Sequence, residues 1–154
     1  MEKTIITAVD GKQELTISRN FDLPVAALFR AHSDPAILAQ WMGTKVLTFE
    51  GRKYGRWAFE TCNPSGEVMF KASGVFHDFV PNEKLTRTFQ MDNTPFEAQL
   101  EFFEFSSRSD TTSTLVMHII YRSVELRDQM VEMGFSWGLN MAHNRLQDVV
   151  GQRI

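Results

Sequence analysis

From Lys45 to Tyr121, apolar and polar residues alternate with a period of two, in runs separated by turn-forming residues. The runs predict strands over 45–50, 55–62, 67–79, 84–91, 96–105 and 112–121. The breaks carry turn chemistry: Asn63-Pro64-Ser65-Gly66, Pro81-Asn82-Glu83, Asp92-Asn93-Thr94-Pro95 and the polar stretch Ser106 to Asp110. Short connections between successive strands predict an antiparallel meander. Upstream, 3–9 and 13–21 read as extended around a turn at Asp10-Gly11, and Leu15, Ile17, Arg19 and Phe21 share one strand face.

Two short helices interrupt the strands. Pro24 opens the first, packed through Val25, Leu28 and Phe29. The second lies in SDPAILAQWMG, with Asp34 as cap, Pro35 in the first turn and Gly43 at the end. It finishes on Trp41 and Met42, two large apolar side chains that must cover something. After Ser123, a cap, the period returns to that of a helix, from Val124 to about Val150. Leu126, Met130, Met133, Trp137 and Met141 fall near one face, and Gly134 and Gly138 form a bare stripe that implies close packing or room for a neighbour. The pattern is α+β: a curved antiparallel sheet with one long C-terminal helix across its concave face. Such a pair leaves a wedge between sheet and helix. The short helices would plug one end, with Trp41 and Met42 facing the wedge or sealing its mouth.

The length of 154 residues suits one domain spanning 1–154. A hydrophobic content of 43% with mixed charge excludes a disordered chain, and a net charge of -3 argues against nucleic acid as a partner. No stretch is long and apolar enough for membrane insertion, and the N-terminus lacks a signal-peptide core. The single cysteine, Cys62, precludes an internal disulfide and fits a cytoplasmic location. His32, His77, His118 and His143 show no metal spacing, with His118 expected on the outer face. Asp22, Asp34 and Asp78 read as caps and turns, Gly51 to Gly55 lacks a phosphate-loop lysine, and no catalytic residue or cofactor is indicated.

Several segments together resemble a known family. Arg19-x-Phe21-x-x-Pro24, Leu28-Phe29-x-Ala31 and Ser33-Asp34-Pro35-x-x-Leu38-x-x-Trp41-x-Gly43 come first. Tyr54-Gly55-Arg56-Trp57-x-Phe59, Gly74-Val75-Phe76-x-x-Phe79-Val80-Pro81-Asn82-Glu83-Lys84-Leu85, Gly138 and Asn144-Arg145-Leu146 follow. They resemble the Hsp90-ATPase-activator-like branch of the START/Bet v 1-like superfamily. Tyr54 stands where that pattern usually has a second glycine, and the tryptophan of Trp137-Gly138-Leu139 is shifted by one place. The resemblance implies a helix-grip fold of about seven strands with an internal cavity. It implies diverse activities: binding of lipids, hormones or polyketides, cyclase- or hydrolase-like catalysis, or action on the Hsp90 chaperone. Fold alone does not choose among these.

The first expectation is a small apolar ligand, a lipid or an aromatic metabolite, held in that cavity. Thirteen phenylalanines, eight methionines and three tryptophans supply adaptable walls or an aromatic core. The candidate lining is Trp41, Trp57, Phe59, Phe70, Phe76 and Phe89, continued by Phe102, Met117 and Ile119 from the later strands. Met130, Met133, Trp137 and Met141 would close it from the helix. Arg19, Arg87, Tyr121, Asn140 and Asn144 are the candidate polar groups. Arg19 reads either as an anchor for a ligand carboxylate or as a structural pair. Arg87 points either into the cavity or, through a bulge, to solvent. Asn140 and Asn144 face either the site or water. A chaperone is the alternative partner, expected to use an exposed apolar patch.

Overall fold

The computed structural model describes residues 2–153. Eight strands form one antiparallel sheet: β1 Ile5–Thr7, β2 Glu14–Phe21, β3 Lys45–Phe49, β4 Arg56–Cys62, β5 Val68–Val80, β6 Lys84–Met91, β7 Gln99–Ser107 and β8 Ser113–Ile120. Their spatial order is β1-β2-β8-β7-β6-β5-β4-β3. The helices are α1 Val25–Ser33, α2 Pro35–Met42, α3 Val124–Glu132 and α4 Phe135–Gly151. The strand count exceeds the expected seven because the short β1 adds an edge beside β2.

The second short helix forms as its punctuation predicts. The Asp34 carboxylate accepts from the Ala36 N–H at 3.0 Å, Pro35 occupies the first turn, and Gly43 ends α2 at φ +63°. Trp41 then turns inward. Its indole N–H donates to the Ala31 carbonyl at 2.8 Å, and its ring meets His32 edge-on at 5.3 Å. Trp41 therefore plugs the seam between the two helices, and Met42 packs partly buried on the core. His32 is fully enclosed by Trp41, Phe103 and Phe105 and bonds through Nδ1 to the Leu28 carbonyl at 2.9 Å.

The C-terminal helix is two helices, which corrects the expectation of one. Gly134 takes φ +81° and separates α3 from α4. A side chain is strained there, so the break is written into the backbone. The bare stripe also has a different meaning from the expected one. A Cβ on Gly138 would meet nothing within 4 Å, so no neighbour packs against it.

α4 is held to the sheet by polar contacts from its second half. Arg19, 2% exposed on the inner face of β2, donates to the Asn144 Oδ1 at 2.8 Å and more distantly, at 3.4 Å, to Asn140 and Thr4. His143 bonds the Thr4 hydroxyl at 2.7 Å, and the Thr4 N–H donates to Asn140. Arg145 donates to the Trp41 carbonyl, tying α4 to α2. Below the clasp, Leu146 and Val150 bury into a core of Leu15, Ile17, Leu28 and Leu115.

Two consequences can be measured. Gly134→Ala should lower stability by about 1 kcal/mol because of its left-handed φ, whereas Gly138→Ala should raise it by about 0.5–1 kcal/mol through helix propensity alone. Urea midpoints of the two variants should therefore move in opposite directions. Acid sensitivity follows from the buried histidines. Burial lowers His32 to about 4 and His143 to about 3, from an unfolded value near 6.5. Below pH 6.5 the unfolded chain takes up protons that the folded chain refuses. Stability should be flat in these groups above pH 7 and fall by a few kcal/mol between about pH 6.5 and 4. In His32→Leu the slope of stability against pH over that window should be shallower.

Candidate functional site

Strand register builds one wall across the middle of the sheet. Trp57 lies opposite Gly74, Phe76 opposite Arg87, Arg87 opposite Glu101, and Glu101 opposite Ile119. Gly74 is required there: a Cβ would lie 1.9 Å from the Thr88 carbonyl oxygen and 2.9 Å from the Trp57 ring. Its absence leaves room for the indole beside β5. Trp57, Phe59 and Phe89 pack ring to ring, with Phe70 beside Phe89 at 6.4 Å. Phe70 and Phe89 remain only half-buried.

Arg87 occupies the centre of this wall. Its guanidinium carbon lies 4.5 Å from the Trp57 centroid and 4.9 Å from that of Phe103, with Phe89 and Phe59 slightly farther. A cation over aromatic faces is favoured by the ring quadrupoles. Arg87 Nε donates to Glu101 Oε1 at 2.8 Å, and Gln99 donates to Glu101 Oε2 at 2.7 Å. The Glu101 carboxylate is thus engaged through both oxygens while only 4% exposed. The charges of the pair compensate each other inside an apolar surround.

Two buried polar atoms on this wall have no hydrogen-bond partner among the described residues: the Trp57 indole nitrogen and the Tyr121 hydroxyl. Tyr121 follows β8 and shares the inner face with Ile119. Burial first, and then the Glu101 charge, push its phenol well above the ordinary tyrosine range. Tyr121 therefore stays protonated, and both atoms are available donors.

The other candidates are distributed as follows. Met117 and Ile119 continue the buried inner face, and Met130 is buried at the end of α3. Phe76 turns to Phe49 and Phe79, and Trp41 belongs to the helical plug. Arg19, Asn140 and Asn144 come together in the α4 clasp. Phe102 lies on the outer face beside His118, not inside. Gln99 and Glu101 hold the inner positions of β7, so the apolar Leu100 and Phe102 mimic an inner parity that belongs to Phe103 and Phe105. Met133 and Trp137 are largely exposed and Met141 partly so, because the Gly134 break resets the helical phase counted from Met130. Gln99 and Glu101 were missed by pattern reading. The signal was present as two polar residues interrupting the parity of β7 next to Arg87's strand.

A surface depression of about 420 Å³ reaches Trp57 and Gly74 from the side of Thr48, Arg56 and Ser73, and others lie away from the wall. One of about 460 Å³ is bounded by Pro24, Ala27, Ile37 and Val150. Another, of about 340 Å³, reaches Arg19 between Glu2, Asp22 and Gln147, where two carboxylates oppose an anionic occupant. Among the described residues no cluster of three metal-ligating side chains occurs, and no helix is long and apolar enough to cross a membrane.

Known proteins place the fold. A structure of protein Ms6760 from Mycobacterium smegmatis superposes with a TM-score of 0.84 at 20% identity, over 96% of each chain. A Rhodobacter sphaeroides protein gives 0.86 at 19% identity, over 97% of this chain and 99% of that one. Protein NE0264 from Nitrosomonas europaea gives 0.78 at 20% identity, over 96% and 100%. These likenesses show a shared helix-grip fold. No curated protein matches the chain. The family described as Activator of Hsp90 ATPase homolog 1-like protein matches residues 22–151, and the chain belongs to that family.

Proposed function

We propose that this protein binds a small, mainly apolar molecule between the inner face of the sheet and the α3–α4 pair. One observation carries the reading: a largely aromatic wall holds two water-excluded donors, Trp57 Nε1–H and the Tyr121 hydroxyl, that the described residues do not satisfy. Leaving such a group unpaired costs about 1–3 kcal/mol, and a ligand acceptor would remove that cost. Half-buried Phe70 and Phe89 supply apolar area worth about 25 cal/mol per Å² covered. Met130 and the first turns of α4 would close over the occupant. Native mass spectrometry of the purified protein should show a stoichiometric non-covalent adduct that solvent extraction releases. In Phe89→Arg, which alters a half-buried wall position, the adduct should be lost while the fold is kept. A clean unliganded mass, together with no uptake of 1-anilinonaphthalene-8-sulfonate, would overturn the reading.

A second reading has its own observation. Trp137 and Met141 lie exposed one turn apart on α4, flanked by Ser136 and Asn140, and Met133 is exposed just before the Gly134 break. Exposed apolar ridges with polar rims mark protein contacts, and the family description points to the chaperone Hsp90. If the ridge serves that role, the protein should raise Hsp90 ATPase turnover, and Trp137→Ala should reduce the effect several-fold. Unchanged turnover with the wild-type chain removes this reading.

A further inference from the structure

The polar apparatus of the wall defines the head group that it accepts. Trp57 Nε1 can only donate, and Tyr121, held as the phenol, offers an O–H. The molecule they complement therefore brings acceptors. Its charge is constrained by the pair between them. Arg87 already faces the Glu101 carboxylate at 2.8 Å, and Gln99 completes that carboxylate's coordination. The guanidinium is compensated, so a ligand carboxylate would enter beside Glu101 with no uncompensated cation to meet it, in a largely buried surround. Burying that anion is strongly unfavourable. A neutral carbonyl oxygen suffers no such penalty. It can accept from the Trp57 indole while lying next to the Arg87 guanidinium, whose carbon is 4.5 Å from the centroid of that ring.

We infer that the ligand of this site is an uncharged apolar molecule carrying a carbonyl-type oxygen, a ketone, quinone or lactone rather than a carboxylic acid, with Trp57 as its donor. Tyr121 marks a second donor on the other side of Glu101. The inference rests on the ligand-binding reading above and adds selectivity to it.

Three probes of one ring system separate the two claims: 2-acetylnaphthalene, 2-ethylnaphthalene and 2-naphthoate at pH 7.4. Binding is followed by calorimetry and by the indole N–H signals of the folded protein. The chain has three tryptophans, and Trp41 is bonded to Ala31 while Trp137 is exposed on α4. Trp57→Phe assigns the remaining signal. The ketone should bind at least tenfold more tightly than either the hydrocarbon or the carboxylate, and should shift the Trp57 signal most. In Trp57→Phe the ketone's advantage over 2-ethylnaphthalene should fall to about threefold or less. Equal affinities of ketone and hydrocarbon, or tightest binding of naphthoate, would overturn the head-group inference and leave an apolar site standing. No binding by any probe would overturn both. The ranking of the three probes on the wild-type protein decides the matter even if the variant fails to fold.

Discussion

The buried guanidinium of Arg19 fixes how α4 meets the sheet. A cation taken out of water needs acceptors, and here they are Asn144 and, more distantly, Asn140 and Thr4, without a carboxylate within ion-pair distance among the described residues. Burial lowers the guanidinium's affinity for its proton, only partly offset by Glu2 and Asp148. Three of the clasp's four members (Arg19, Asn140 and Asn144) lie on β2 and the middle of α4, and Thr4 locks the strand before them. C-terminal to Asn140, the face of α4 that carries His143, Leu146 and Val150 is consequently pressed onto the core. The turns before it carry Trp137 and Gly138 in the open and contribute little buried surface. The half-buried aromatics of β5 and β6 and the exposed ridge of α4 are two results of this single anchoring.

The layered architecture was legible because period and punctuation agreed. Asp34, Pro35 and Gly43 each specify one backbone event, and no tertiary contact contradicts them. Tyr54 shows the same logic through a departure. It occupies φ +66°, the conformation for which a glycine is the usual residue, and the next position cannot bear a side chain, since a Cβ on Gly55 would lie 1.9 Å from the Glu50 carbonyl oxygen. The turn keeps its shape and exposes a tyrosine ring. The helix break was less legible. A glycine inside an apolar 3.6-residue pattern is compatible with a continuous helix at modest cost, and only φ distinguishes a packing notch from a terminus.

The wall of the site was half legible for a different reason. Trp57, Phe59 and Phe89 follow the alternation of their strands. On β7 the rule inverts, because an internal carboxylate and amide displace apolar residues from the inner positions. Hydrophobic alternation assigns Phe102 inward where Glu101 demands the opposite parity. Arg87 on the facing strand is the residue that makes Glu101 intelligible, and that relation is one of register, not of local sequence.

A stability argument does not account for the Arg87–Glu101 pair. Desolvating two charges cancels much of their attraction, and an apolar pair of similar volume would serve the core as well. The aromatic rings around Arg87 and the amide of Gln99 reduce the penalty but leave Trp57 Nε1 and the Tyr121 hydroxyl unserved. A wall selected for packing alone would carry none of these five polar groups. Their coexistence on one inner face, beside phenylalanines that are not fully covered, makes sense when the face is read as half of an interface. On the proposed reading, the other half is a molecule that supplies acceptors and no net charge.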